Sequence, residues 1–185
     1  NTKTLVLGGE HSVSFAPICR ALNCYPDLVV VQLDAHADLR DGYQGYHYSH
    51  AAIIRRVIDC FGPGHRLIQA GIRSGTREEF AWMREHDTLC PSHAHLLGRV
   101  QALPNDRPIY LTVDLDYFDP AFVPGTGTPE PGGESFQSFV SLCEVLMRKN
   151  LVGADVVELA PNIDPTGNSD VFAAKVVREL LLILS

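Results

Sequence analysis

The sequence predicts an α/β fold, a doubly wound, mostly parallel sheet with helices on both faces. Three observations predict it. Short apolar runs rich in β-branched residues alternate with helix-like patterns along all 185 residues. These runs are continuously apolar rather than alternating, as strands are when both faces of a sheet are covered. No linker, repeat or low-complexity stretch divides the chain, so residues 1–185 are expected to form a single domain.

The elements follow in order. The first strand covers Thr4–Leu7, is closed by Gly8-Gly9, and leads to a helix over Ser12–Leu22. The second, Leu28–Leu33, reads as a continuous apolar run; after it come Asp34-Ala-His36-Ala-Asp38, a polar loop over 39–48 and a helix over Ser49–Cys60. The third, Arg66–Gly71, precedes helices over Arg77–His86 and His93–Leu103. The fourth, Ile109–Val113, opens into Asp114-Leu-Asp116-Tyr-Phe-Asp119-Pro, a Gly-, Pro- and Thr-rich loop over 120–133, and a helix over Glu134–Lys149. The fifth, Asp155–Leu159, is followed by a last helix over Ser169–Leu184. Strand–helix repetition at this spacing is the signature of βαβ units.

Composition narrows the function. Fifteen basic residues stand against 22 acidic ones, a net charge of -7, and the basic residues form no block or stripe. That argues against nucleic acid or an anionic membrane as a partner and favours a cationic substrate. No apolar run approaches the roughly 20 residues of a membrane span. The five cysteines are odd in number and scattered without a C-x-x-C pair, which points to free thiols and a cytoplasmic location. Cys19 and Cys143, in helix-like segments, are expected to be core filler. The chain opens at Asn1 rather than methionine and enters a strand by Thr4, so a fragment of a longer protein is expected.

In such a sheet, functional groups gather at the carboxyl ends of the strands. An isolated carboxylate there is costly, and a cluster of them repels itself unless cations are present. Residues two apart on an extended strand end share a face, so Asp34, His36 and Asp38 can point together, as can Asp114 and Asp116. If their strands are neighbours and His11 enters from a third, two imidazoles and four carboxylates converge, enough for two metals with one or two bridging carboxylates. An oxygen-dominated set with some imidazole suits Mn²⁺ better than Zn²⁺. Two metals roughly 3.5–4 Å apart can hold a bridging water and lower its pKa toward neutrality. Asp119, before Pro120, is expected to cap its own loop. His47 and His50 flank the long rim loop, and position alone does not choose between them for proton transfer. Glu158 reads either as a satisfied buried acid or as an anion facing a cationic ligand. His65, His86, His93 and His95 are expected to be solvated.

At these residues the chain resembles the ureohydrolase family, which includes arginase and agmatinase. Gly8-Gly9-Glu10-His11-Ser12, Asp34-Ala-His36-Ala-Asp38 and Asp114-Leu-Asp116-Tyr-Phe-Asp119-Pro are similar to its three metal motifs, in order; Gly125-Thr126-Gly127-Thr128-Pro129 and Glu158 also fall in pattern. The resemblance implies the arginase/deacetylase-like version of the fold and a two-Mn²⁺ enzyme that frees urea from a guanidinium compound. It implies that His11 and His36 each serve one manganese, that Asp38 and Asp116 each complete one site, and that Asp34 and Asp114 bridge. Tyr48-Ser49-His50-Ala51 matches the family's proton-transfer histidine, so the resemblance selects His50; Glu158 would hold the guanidinium, with Thr128 nearby. It further implies a homo-oligomer, a trimer or hexamer. The loop Leu39-Arg40-Asp41-Gly42-Tyr43 does not resemble the arginase loop, whereas Gly71-Ile72-Arg73-Ser74 and the Tyr-Ser-His-Ala stretch look like agmatinases. Agmatine, yielding putrescine, is therefore the expected substrate; arginine or a guanidino acid, which Arg40 could pair with, is the alternative. A single-zinc deacetylase-like hydrolase and an inactive metal-binding regulatory relative are the rival readings. Family members carry an N-terminal portion before the first motif that this chain lacks, so the segment alone is expected to be poorly soluble or inactive.

Overall fold

The computed structural model describes residues 2–185. Among them, six strands form one sheet: β1 (Thr4–Leu7), β2 (Val29–Leu33), β3 (Arg66–Ala70), β4 (Leu89–Cys90), β5 (Pro108–Asp114) and β6 (Asn150–Val157). Their order is β1-β6-β5-β2-β3-β4, and every pairing is parallel. The six helices are α1 (Phe15–Cys24), α2 (Ile53–Asp59), α3 (Arg77–Glu85), α4 (His93–Ala102), α5 (Phe136–Leu146) and α6 (Asn168–Leu184).

The continuous apolar strands do cover two cores. Ile18 and Leu22 of α1, Ile53 and Val57 of α2 and Met83 of α3 pack with Val30, Leu67 and Tyr110. On the opposite face Leu96 of α4, Phe139 and Leu142 of α5 and Val176 of α6 pack with Val29, Val31, Ile109 and Leu111. Residues adjacent in β2 thus feed different cores, as the period-two pleat requires. Each helix–sheet layer removes apolar surface from water at roughly 25 cal/mol per Å².

This arrangement creates one topological switch. The chain leaves β2 toward α2 on the first face and leaves β5 toward α5 on the second, yet β2 and β5 are direct neighbours, with Leu33 opposite Val113. Their outgoing loops diverge and leave a crevice at the carboxyl ends, the usual ligand position in such sheets.

Three expectations change. The last strand begins at Asn150, not Asp155, and stops at Val157. Gly153 sits within it and breaks the β-branched run that the sequence reading relied on; its missing Cβ makes room for the Tyr110 ring, which an added carbon would meet at 2.9 Å. Beyond it Glu158 takes a left-handed φ of 66°, which ends the strand. Strand β4, two residues long, was not expected; it is too short to show a period. Cys19 is only partly covered rather than core, while Cys143 is buried as expected.

Candidate metal centre

Both acidic motifs bend by the same local device. Asp34 accepts the His36 backbone N–H at 2.6 Å, and Asp114 accepts the Asp116 N–H at 2.8 Å. These Asx turns end the strands at once. The residues two apart therefore converge through a turn and not through strand alternation. Asp38 lies in the left-handed region at φ 54°, which Asp tolerates better than most residues, and so folds back toward Asp34. The two turns are stitched together, since the Ala35 N–H donates to Asp116 Oδ1 at 3.0 Å. His11 reaches the same point from β1, two strands from β5, on a 3-10 turn over His11–Ser14.

The six groups cluster. His11 Nδ1 lies 3.2 Å from Asp34, 3.1 Å from Asp38 and 3.3 Å from Asp114. His36 Nδ1 lies 2.9 Å from Asp116 and 3.7 Å from Asp34. Two sets of potential ligand atoms lie within 4.8 Å of one another, His11/Asp34/Asp38 and Asp34/His36/Asp116, and they share Asp34. Asp114 faces the His11 side. All but His36 are buried.

The electrostatics are those of a site short of positive charge. Burial pushes the Asp38 carboxyl up, and the Asp34 charge pushes it further, to about 8. Burial also lifts Asp114 and Asp116, with Asp34 again adding to it. Burial would raise Asp34 too, but hydrogen bonds from both histidines hold it well below the usual carboxylate range. Burial pulls His36 down, yet Asp116 and Asp34 outweigh it and take the imidazole up to about 11. His11 is likewise raised, its burial outweighed by Asp114, Asp34 and Asp38. Protons fill in for cations throughout.

One buried atom tests whether metal fits. The Thr112 hydroxyl donates to Asp155 Oδ1 at 2.6 Å, so at 2.9 Å it accepts from His11 Nε2–H. That assigns the Nε2 proton to the Thr112 bond and leaves His11 Nδ1 facing three carboxylates. Nδ1 is buried and has no hydrogen-bond partner. A ring nitrogen facing three acceptors needs a cation between them, a proton or a metal ion in its place, and an oxygen-rich set with one imidazole per site suits a divalent ion such as Mn²⁺. The residues fit the implied pair of metals.

Sequence reasoning missed the supports. Gln32 donates to Asp34 Oδ2 at 2.8 Å and to the His36 carbonyl at 3.1 Å. Gln69 donates to Gln32 Oε1 at 2.7 Å, and Thr88 to Gln69 Oε1 at 2.7 Å, so a buried chain of amides runs from beside β4 to the cluster. Arg73 donates to the Asp116 and Glu130 carbonyls, each at 2.7 Å, and to Gly71 O at 3.0 Å, tying the third motif to the rim loop. The legible signal was the polar residue inside an apolar strand: Gln32, Gln69, Thr112 and Asp155 are all fully buried.

A cavity of about 380 Å³ opens above the cluster, and its lining includes His11, His36, Asp38, His50, Thr128 and Glu158. His50 faces it with Nδ1 3.2 Å from Glu10, which also accepts the His50 N–H at 2.7 Å. His47 does not line it; its ring is taken up by Arg56. Glu158 accepts the His11 N–H at 2.6 Å through Oε1, and burial raises its carboxyl. Thr128 Oγ1 lies 3.4 Å from Asp116 Oδ2. Arg40 also lines the cavity, its guanidinium over the Tyr43 ring at 4.9 Å. Asp119 caps its loop as expected, accepting from Ala121, Gly132 and Gly133. His65 is buried rather than solvated, spanning the Gly62 N–H and the Tyr25 carbonyl.

Known proteins are similar in sequence and in architecture. Agmatinase of Bacillus cereus is 43% identical over 183 residues, 96% of this chain and 62% of its own length. Guanidinobutyrase of Pseudomonas aeruginosa is 34% identical, covering 97% of this chain and 60% of its own length. A crystal structure from Clostridium difficile is 41% identical with a TM-score of 0.91, over 98% of this chain and 67% of that one. Agmatine ureohydrolase of Thermoplasma volcanium is 33% identical with a TM-score of 0.81, over 97% and 61%. The chain thus spans about 62% of the length of the curated agmatinases it matches. The model of the Arginase family matches residues 1–183, from ahead of β1 to the last turn of α6, and to that family this chain belongs.

Proposed function

We propose that the chain carries the catalytic centre of a ureohydrolase that cleaves agmatine to urea and putrescine. The observation that carries this reading is the pair of ligand triads sharing Asp34, each with one imidazole, at the switch point of the sheet. His11, Asp34 and Asp38 would hold one ion and His36, Asp34 and Asp116 the other, with Asp114 beside the first and, like Asp34, able to bridge. Bound there, two Mn²⁺ ions would neutralise the carboxylates and supply an attacking water at neutral pH.

The remaining work falls to side chains around the cavity. A guanidinium is permanently cationic near neutral pH, so it needs an anion to orient it. Glu158 is suited: Oε1 is anchored by the His11 N–H, and Oε2 remains for charge-assisted bonds to the substrate. Gly127 lines the same cavity wall, and a Cβ added there would lie 3.9 Å from Oε2, an ordinary van der Waals contact. As the carbon–nitrogen bond breaks, the departing amine must gain a proton. His50 is placed on the cavity and braced by Glu10, so it can hold and deliver one. The net charge of -7 favours arrival of a dicationic substrate.

Urea release by the full-length protein, measured with agmatine, arginine and 4-guanidinobutyrate in the presence of Mn²⁺, tests the proposal. Agmatine is expected to be turned over fastest. Preference for guanidinobutyrate would reassign the substrate, and no urea from any of the three with metal bound would sink the enzyme reading.

A further inference from the structure

Among the five thiols, Cys19 and Cys60 stand apart. Their sulfurs lie 3.6 Å from one another, across the packed pair α1 and α2, whereas Cys90 and Cys143 are buried in the other core of the sheet. Cys60 follows the last residue of α2 and is exposed; Cys19 sits behind it on α1, partly covered. A disulfide needs about 2.05 Å between sulfurs, so the pair must close by about 1.5 Å. The order of exposure also suits exchange, with an accessible thiol in front and a resolving thiol directly behind it.

We propose that Cys19 and Cys60 are a disulfide-forming pair that reacts with a low-molecular-weight disulfide. The Cys60 thiolate attacks one sulfur of the small molecule, whose S–S bond breaks and releases one thiol. Burial and the neighbouring Cys60 hold the Cys19 thiol up at about 12, so it gives up its proton as it attacks Cys60 Sγ in the mixed disulfide, forming the Cys19–Cys60 bond and expelling the second thiol. Two protein thiols are oxidised, one small disulfide is reduced to two thiols, and the two protein protons end on them.

The position gives the bond a consequence. It closes the segment between residues 19 and 60, which contains Asp34, His36, Asp38 and the long rim loop up to His50. α1 runs on from the turn that carries His11, and α2 from the turn that carries His50. Oxidation therefore cross-links the two supports of the cavity without consuming any group assigned to the chemistry. Closing a loop of this length predicts a rise in the thermal midpoint of roughly 5–10 °C.

The purified protein is treated with glutathione disulfide, and its peptides are mapped without reduction. The expected result is one linked pair, Cys19–Cys60, reversed by dithiothreitol, together with the higher midpoint. Cys19→Ser should trap glutathione on Cys60 and abolish the midpoint shift, with urea release unchanged in the reduced protein. A glutathione adduct on Cys60 while Cys19 can still be alkylated, a link through Cys24 instead, or a formed link with no midpoint shift would overturn the proposal.

Discussion

A single hydroxyl decides how His11 meets its neighbours. Because Thr112 donates to Asp155, it must accept from Nε2–H, and the other ring nitrogen is left to face Asp34, Asp38 and Asp114. Without that bond either ring nitrogen could carry the proton, and a share of the neutral rings would present an N–H where a metal ligand's lone pair is wanted. Thr112→Val keeps shape while removing the hydroxyl. It is expected to weaken the metal on the His11 side by about 10–100-fold, the usual cost of losing a supporting bond behind a ligand, and to spare the His36 side. Metal content after dialysis, read as one ion retained per chain, checks this, and Thr112→Ser should restore the second. Equal loss of both ions would show that Thr112 acts through packing. Sequence made the ligand types legible because carboxylates after apolar runs are conspicuous. It showed Thr112 and Asp155 only as polar residues among apolar ones, since the role of a strand hydroxyl is not legible until its partner is known.

At the level of elements, the cluster depends on how abruptly the strands end. The first, second and third strands were readable almost to the residue, since Gly8, Asp34 and Gly71 each interrupt an apolar run. The sixth was not, because a glycine lies inside it, and the Asx turns were not, because strand alternation offers the same convergence on paper. Gly71 shows why the turn after β3 tolerates no side chain. Its φ is 88°, and a Cβ would lie 2.4 Å from the Tyr117 ring and 2.8 Å from the Asp34 carbonyl. Tyr117 is fully buried and adjoins Asp116, so it has no room to withdraw. Gly71→Ala is therefore expected to cost about 2–4 kcal/mol, combining positive-φ strain with overpacking. Denaturant unfolding measures it; a loss below about 1 kcal/mol would mean that the Tyr117 ring moves freely. The same variant should lower metal occupancy, since the displaced backbone belongs to Asp34.

For the molecule as a whole, the cluster makes stability depend on which cations fill it, protons or metal ions. Without metal, Asp38 holds its proton up to about 8 against an ordinary 3.8, so across that window the folded chain binds a proton that the unfolded chain has lost. Its contribution is present near pH 4 and is lost as pH rises toward 8. His36, raised from 6.5 to about 11, acts in the same direction: its contribution is complete below 6.5 and is lost as pH rises through 11. The metal-free protein should thus become less stable from pH 5 to pH 9. Metal ions displace those protons, so binding strengthens as pH rises. The thermal midpoint of chelator-treated protein is expected to fall over that range, while the midpoint with excess Mn²⁺ stays level or rises, and the gap between them widens. Parallel curves would show that the carboxylates do not exchange protons for metal. The widening has a structural cause: both cores of the fold end at the same crevice, where β2 and β5 deliver four carboxylates whose repulsion grows with each proton removed. The scaffold can hold them that close only if something positive lies between them; as the carboxyl protons leave, the two imidazoles are left to balance four carboxylates, and metal ions supply the missing charge.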